Sequence, residues 1–396
     1  MTDPHPRDDR TIGRAVGGIV VLGSANFIAI TTEILPVGLL PQLAGGVGVS
    51  ESTAGLLVTV YAFVVAAAAV PLTLATRGVP RKPLLMGALA TYAVSNVLVA
   101  TAPSFALLAV GRVLGGLAHA IFFSISIAYA SRLVAPRFAG RALSLVTAGA
   151  TLGFVLGVPL STSLGTAVGW RWSFAVLAAW CAATVVLVAA LLPPVTVERR
   201  PRRDRDDSRR GRARLGVVVT TNGLLFCGQY TAYTYISVIL LASGVSEGAV
   251  GPVLLVFGAL GLIGLWAAAR FLDRSPRALI LGVTGTIAAA LVALALAIPS
   301  TAGVVVAAGV WLAAFGAIPS TFQVAALRAA GGSADVAGAF VNATANFGIG
   351  SGAALGAVVV AGAGYVAVAF TAAGIVGVGL LVILASRRAF PSRPEL

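Results

Sequence analysis

The 396-residue chain is 58% hydrophobic and 10% charged, with a mean hydropathy of +0.99, a balance that excludes a water-soluble core-and-surface protein of this length. Its net charge of +14 does not mark a nucleic-acid binder, because the 27 basic residues fall almost entirely in short breaks between apolar runs. Cys181 and Cys227 are isolated within such runs, which excludes a disulfide framework and a cysteine metal cluster.

A helix needs about 20 apolar residues to cross a hydrocarbon layer of roughly 30 Å. Runs of that kind cover 15–40, 52–75, 84–102, 105–130, 140–164, 172–192, 216–242, 249–269, 278–298, 303–327, 337–361 and 364–385. The expected fold class is therefore an all-α membrane protein of twelve transmembrane helices. The alternating pattern of a membrane barrel is absent. The first run carries Glu33, Pro36 and Pro41 and no short apolar core with a cleavage site, so it is expected to stay in the mature chain.

Of the 27 Lys and Arg residues, 25 lie in the N-terminal tail, in the breaks after spans 2, 4, 6, 8 and 10, or in the C-terminal tail. All these positions share one side if the spans number twelve. The exceptions are Arg112, inside the fourth span, and Arg171, at the edge of the sixth. Since positive charge collects on the cytoplasmic side, the pattern implies an even number of spans and cytoplasmic termini. The basic, proline-bearing stretch 193–214 divides the chain. The expected organisation is a tail (1–14), a six-helix half (15–192), a linker (193–214), a second six-helix half (215–386) and a tail (387–396). "LTLATRGVPRKPLL" after the second span and "AARFLDRSPRALIL" after the eighth form a weak repeat at half the chain length, the mark of many secondary transporters.

In the fifth span Gly149, Gly153, Gly157 and Gly165 stand four, four and eight apart with Pro159 among them. Gly348, Gly352 and Gly356 repeat the spacing of four in the eleventh. Each makes a helix face of nearly bare backbone, suited either to close packing or to a sliding interface between halves.

Five stretches carry a resemblance: "TTEILPVGLLPQLA" (31–44), "GRVLGGLAHAIFFSIS" (111–126), Gly157/Pro159 with the following "GWRWSF" (169–174), "YTAYTYI" (230–236) and "NFGIGSGAALG" (346–356). Together they resemble the major facilitator superfamily in its drug:proton antiporter branch, and are most similar to sugar-efflux transporters and actinobacterial chloramphenicol exporters. The resemblance implies a monomeric, multi-pass exporter of the bacterial cytoplasmic membrane, powered by a proton gradient and needing no cofactor. It also implies that the glycine motif of the fifth span marks an antiporter and that Arg112 serves proton exchange. Asp273 with Arg274 matches the superfamily's loop motif, whereas Thr76 stands where its first-half copy has an acid.

Of the thirteen acids only Glu33 is embedded. A charge there costs about 2.5 kcal/mol or more, so Glu33 is expected to face a cavity or a partner and to take up a proton in working conditions; a permanent pair with Arg112 is the competing reading. Arg112 can share its depth, and His119 follows on the same helix face, either as a proton relay or as a packing residue. The expected substrate-binding groups are Asn26, Thr32, Tyr230, Tyr233, Tyr235, Gln323, Asn342 and Asn346, neutral donors, acceptors and rings that suit a small neutral ligand, unless they only hold helices together.

An enzyme is not expected, because the embedded residues offer no nucleophile with its base and no metal constellation. A phosphate-binding loop is absent, so ATP is not the expected driver. The leading expectation is proton-coupled efflux of a sugar-like or chloramphenicol-like compound, with the lipid bilayer, protons and the substrate as partners. Export of lipophilic cations, proton-coupled import and sensing without transport are the alternatives.

Overall fold

The structure is a computed structural model and describes residues 12–76, 78–130, 132–135, 138–194, 209–329 and 334–391. The far N-terminal tail, most of the basic linker and the last five residues, which carry many of the sequence-read cytoplasmic charges, lie outside the described residues. Among the described residues regular structure is entirely helical. In chain order it comprises α1 (Ile12–Gly38), α2 (Leu40–Val47), α3 (Glu51–Ala75), α4 (Arg81–Thr101) and α5 (Phe105–Ala130). Next, α6 (Ala139–Leu152) runs through one π-helical turn (Gly153–Gly157) into α7 (Val158–Val168), followed by α8 (Trp170–Leu191). The remainder is α9 (Arg209–Tyr233), α10 (Ile236–Ala242), α11 (Glu247–Phe271), α12 (Pro276–Ala297), α13 (Thr301–Phe315), α14 (Ile318–Ala329) and α15 (Ala334–Ala385).

Eleven of these stretches, taking α6–α7, α9–α10 and α13–α14 each as one, are long and apolar enough to cross a membrane. The last differs from the rest. Its 52 residues would reach about 78 Å at 1.5 Å per residue, more than twice a hydrocarbon layer. Gly364 interrupts it at φ 76°, ψ −174°, a backbone region open essentially to glycine alone.

Packing groups the chain into two compact units, Met1–Leu35 with Ala67–Pro201, and Pro36–Ala66 with Arg202–Leu396. The second unit thus includes the end of α1, all of α2 and much of α3. Several contacts hold this segment there: Ser237 Oγ donates to the Val37 carbonyl at 2.7 Å, the Tyr365 hydroxyl donates to Glu51 Oε2 at 2.7 Å, and Phe63 meets Phe347 at 5.7 Å.

Each of the two glycine faces packs closely against backbone within its own unit. A methyl group on Gly149 would lie 2.0 Å from the Gly23 carbonyl oxygen, and one on Gly157 would lie 1.9 Å from Thr31 Oγ1. In the second unit Gly348 and Gly352 approach the Gly223 and Cys227 carbonyls, and Gly356 approaches that of Thr231. Gly23 and Gly223, like Thr31 and Thr231, are 200 residues apart, so the contacts define an internal repeat in which Glu33 matches Tyr233. Buried Pro159 follows the π turn, and Gly165 is buried in α7. A third close approach was not read from the sequence. It joins α11 to α13–α14, where methyls on Gly264 and Gly316 would meet the Ala313 and Gly261 carbonyl oxygens at 2.2 and 1.9 Å.

These distances separate two kinds of glycine substitution. Gly149→Ala and Gly316→Ala should each destabilise the purified protein by about 1–3 kcal/mol through overpacking against rigid backbone. Gly285→Ala in α12, where a methyl meets nothing within 4 Å, should be neutral or stabilising. Thermal unfolding in one detergent compares the three.

Candidate functional site

Two prolines prepare the site. In a helix each carbonyl accepts from the N–H four residues on, and proline has none, so Pro36 releases the Thr32 carbonyl and Pro41 releases that of Val37. Inside a membrane such groups must be satisfied by protein. Arg112 Nη1, on α5, donates to the Thr32 carbonyl at 2.7 Å, and its Nη2 donates to the Glu33 carbonyl at 2.6 Å. The Val37 carbonyl accepts the bond from Ser237. The shared depth read for Glu33 and Arg112 is real, but these two bonds of the guanidinium go to backbone.

The Glu33 carboxylate itself lies beside His119. Oε2 is 3.6 Å from His119 Nδ1, within ion-pair range when the imidazole carries a proton, and the residues are 9% and 2% exposed. The imidazole also stacks on Phe123 at 4.9 Å. Around this group Asn96 Nδ2 donates to Thr32 Oγ1 at 3.2 Å and to the Tyr92 carbonyl at 2.9 Å. Asn26 Nδ2 donates to Ser126 Oγ at 2.7 Å and to the Leu22 carbonyl at 2.8 Å. Asn26 and Thr32, expected to bind substrate, are buried and tie helices together here. Asn96 and Ser126 were missed, although Tyr92 and Asn96 stand four apart on one helix face.

In the second unit, the position matching Glu33 belongs to an aromatic cluster. Tyr233 packs edge-on against Tyr230 at 5.6 Å and against Trp311 at 6.4 Å, and Phe226 meets Tyr230 and Phe315. The Trp311 indole N–H donates to Gln229 Oε1 at 2.6 Å, and both residues are buried. Tyr230 and Tyr233 are therefore brought together as expected, with Gln229 and Trp311 as partners the sequence did not single out.

Tyr235 lies apart from the cluster. It is fully buried against Gly55 and Gly356 and its hydroxyl donates to the Ala353 carbonyl at 3.3 Å, a packing role. Gln323 is exposed on α14 and belongs to neither cluster. Asn346 Nδ2 donates to the Asn342 side chain at 3.2 Å and to its carbonyl at 3.1 Å. Asn222 Nδ2 donates to Thr344 Oγ1 and to the Val341 carbonyl, both at 3.0 Å. The amide oxygens of Asn222 and Asn346 are buried without a protein donor, a costly state unless water or a ligand supplies one. At the helix ends Asp273 pairs with Arg328 at 3.2 Å beside exposed Arg274, while the Thr76 hydroxyl turns back to the Leu72 carbonyl. Among the described residues no group of three or more His, Cys, Asp or Glu side chains could hold a metal ion.

The sequence matches the Major Facilitator Superfamily over residues 22–340. The chain belongs to that superfamily. Members are transporters that carry small molecules across membranes, not enzymes. This transporter is 36% identical over 383 residues to a chloramphenicol efflux pump of Mycobacterium tuberculosis strain H37Rv, covering 93% of this chain and 92% of the relative. It is 30% identical over 376 residues to a protein of Mannheimia succiniciproducens named "Probable sugar efflux transporter", covering 93% and 94%. Its fold matches the crystal structure of a bacterial homolog of the human lysosomal transporter Spinster, with a TM-score of 0.73 at 13% identity and coverage of 97% and 99%.

The proline-to-arginine link is testable by a double-mutant cycle. Arg112→Leu should cost about 1–3 kcal/mol of stability by orphaning buried carbonyls. In a Pro36→Ala background, where residue 36 regains its N–H, that cost should shrink. Equal cost in both backgrounds, by thermal unfolding, would show that the released carbonyl does not matter.

Proposed function

We propose that this transporter is a proton-driven exporter of a small neutral compound, chloramphenicol-like or sugar-like. The observation that carries the reading is the buried Glu33 carboxylate set 3.6 Å from His119, in a chain whose relatives over nine-tenths of its length are named for chloramphenicol and sugar efflux. A charged carboxylate inside the membrane is costly, so its proton is taken up and given back as access to water changes. Arg112 acts as a positioning residue, holding the α1 backbone at Glu33, and His119 is the neighbour able to pass the proton. Protonation and substrate occupancy favour different states of one cycle, which couples them.

Reading the break at Gly364 as a turn between two spans supports a count of twelve helices, and the 25-to-2 division of positive charge supports both termini on the cytoplasmic side of a bacterial cell membrane. The proton gradient is the energy source and no cofactor is required.

The substrate reading rests on neutral chemistry. With one embedded acid assigned to the proton, the Tyr230–Tyr233 cluster and the unmet acceptors on Asn222 and Asn346 suit rings and hydroxyl or amide donors better than a lipophilic cation.

In everted vesicles with an imposed pH gradient, Glu33→Gln should fold and retain exchange of substrate down its own gradient but lose gradient-driven uptake, since the amide cannot release a proton. Full proton-driven transport by this variant would remove Glu33 from the mechanism. Cells expressing the wild type should accumulate less labelled chloramphenicol or sugar than cells carrying Glu33→Gln. Protection against ethidium alone, with both of those unchanged, would favour a lipophilic-cation exporter.

A further inference from the structure

Apart from the two clusters, the second unit holds a basic recess where α9, α11, α12 and α14 end together. Arg214, Arg328 and Arg388 line it with Leu272, Ile280 and Phe390. Its wall is built rather than loose. Arg277 donates to the Leu384 carbonyl at 2.8 Å and to the Phe390 carbonyl at 3.0 Å, and Phe390 packs edge-on against Phe322 at 6.0 Å, so the turn after α15 that carries Arg388 is braced. Arg328 is bridged to Asp273, whose side chain is 89% exposed. Such a water-screened pair is weak, so Arg328 can readily turn to a better anion.

We propose that this recess binds the phosphodiester headgroup of an anionic membrane lipid. Guanidinium forks match phosphate oxygens with two bonds each, and three arginines line this recess beside apolar side chains that suit the glycerol and upper acyl carbons. The recess sits at the ends of membrane-crossing helices, where basic pockets take lipid headgroups. A bound headgroup would draw Arg328 away from Asp273, so lipid occupancy would loosen the pair that joins the end of α11 to α14. Free phosphate shares the chemistry, and the experiment must separate the two.

The test is native mass spectrometry of the full chain in neutral detergent, titrated with phosphatidylglycerol, phosphatidylcholine or inorganic phosphate. Phosphatidylglycerol should bind in preference to phosphatidylcholine. Arg388→Gln should weaken it roughly fivefold and Arg214→Gln with Arg388→Gln about 30-fold. Arg387→Gln, which removes the adjacent exposed arginine that does not line the recess, should change binding less than about twofold. Equal weakening by Arg387→Gln and Arg388→Gln would overturn the site in favour of diffuse surface charge. Arginine-dependent binding of inorganic phosphate without binding of phosphatidylglycerol would overturn the lipid assignment. If the double variant fails to fold, Arg388→Lys, which keeps the charge and loses the fork, should still weaken lipid binding, and unchanged affinity would overturn the proposal.

Discussion

A carbonyl that has lost its helical partner inside a membrane must find another within the protein, and in α1 this happens twice within six residues. Pro36 and Pro41 release the carbonyls of Thr32 and Val37, and the groups that answer come from opposite parts of the chain: Arg112 from α5 and Ser237 from α10. The first bond fixes the backbone that carries Glu33. The second draws the end of α1 into the second unit, so the helix bearing the embedded acid belongs to both units of the fold. An ordinary helix, with every carbonyl satisfied internally, would offer neither attachment.

Close helix approach is the second requirement. Arg112 reaches the carbonyls of α1, and Asn26 reaches Ser126, only because helices in this unit lie near one another, and the glycine face of α6–α7 brings backbone against α1 at Gly23 and Thr31. The second unit repeats the arrangement between α9 and α15. The repeat then shows where the units diverge. At matching positions one carries a carboxylate beside a histidine, and the other carries a tyrosine within an aromatic and amide cluster held by the Trp311–Gln229 bond. That difference underlies the proposal that the first unit handles the proton and the second recognises the ligand.

Both units hold buried polar atoms without a protein partner, Asn96 Oδ1 near Glu33 in the first and the amide oxygens of Asn222 and Asn346 in the second, each a place for water or a ligand to complete.

Much of this was legible without a structure, because hydropathy, charge and glycine spacing are local properties that add along the chain. The bilayer reads them directly: twenty apolar residues span it, clustered arginines stay on one side, and a lone acid within a span stands out whatever surrounds it. Glu33, Arg112, His119 and the two glycine faces stood out in this way, while the resemblance to the superfamily was carried by five specific stretches. Partner choice is different, since it depends on which faces of distant helices meet and at what depth. Sequence could place Glu33 and Arg112 at one level but not show that the guanidinium donates to two backbone carbonyls of α1 or that His119 stands at the carboxylate. It could not separate Tyr233, in the cluster, from Tyr235, buried in packing two residues later where the helix breaks, nor show that Gln323 is exposed and apart from both clusters. The transfer of Pro36–Ala66 to the second unit has no local signature either, because it rests on bonds between residues some 200 and 314 apart in the chain, which only the packed fold brings together.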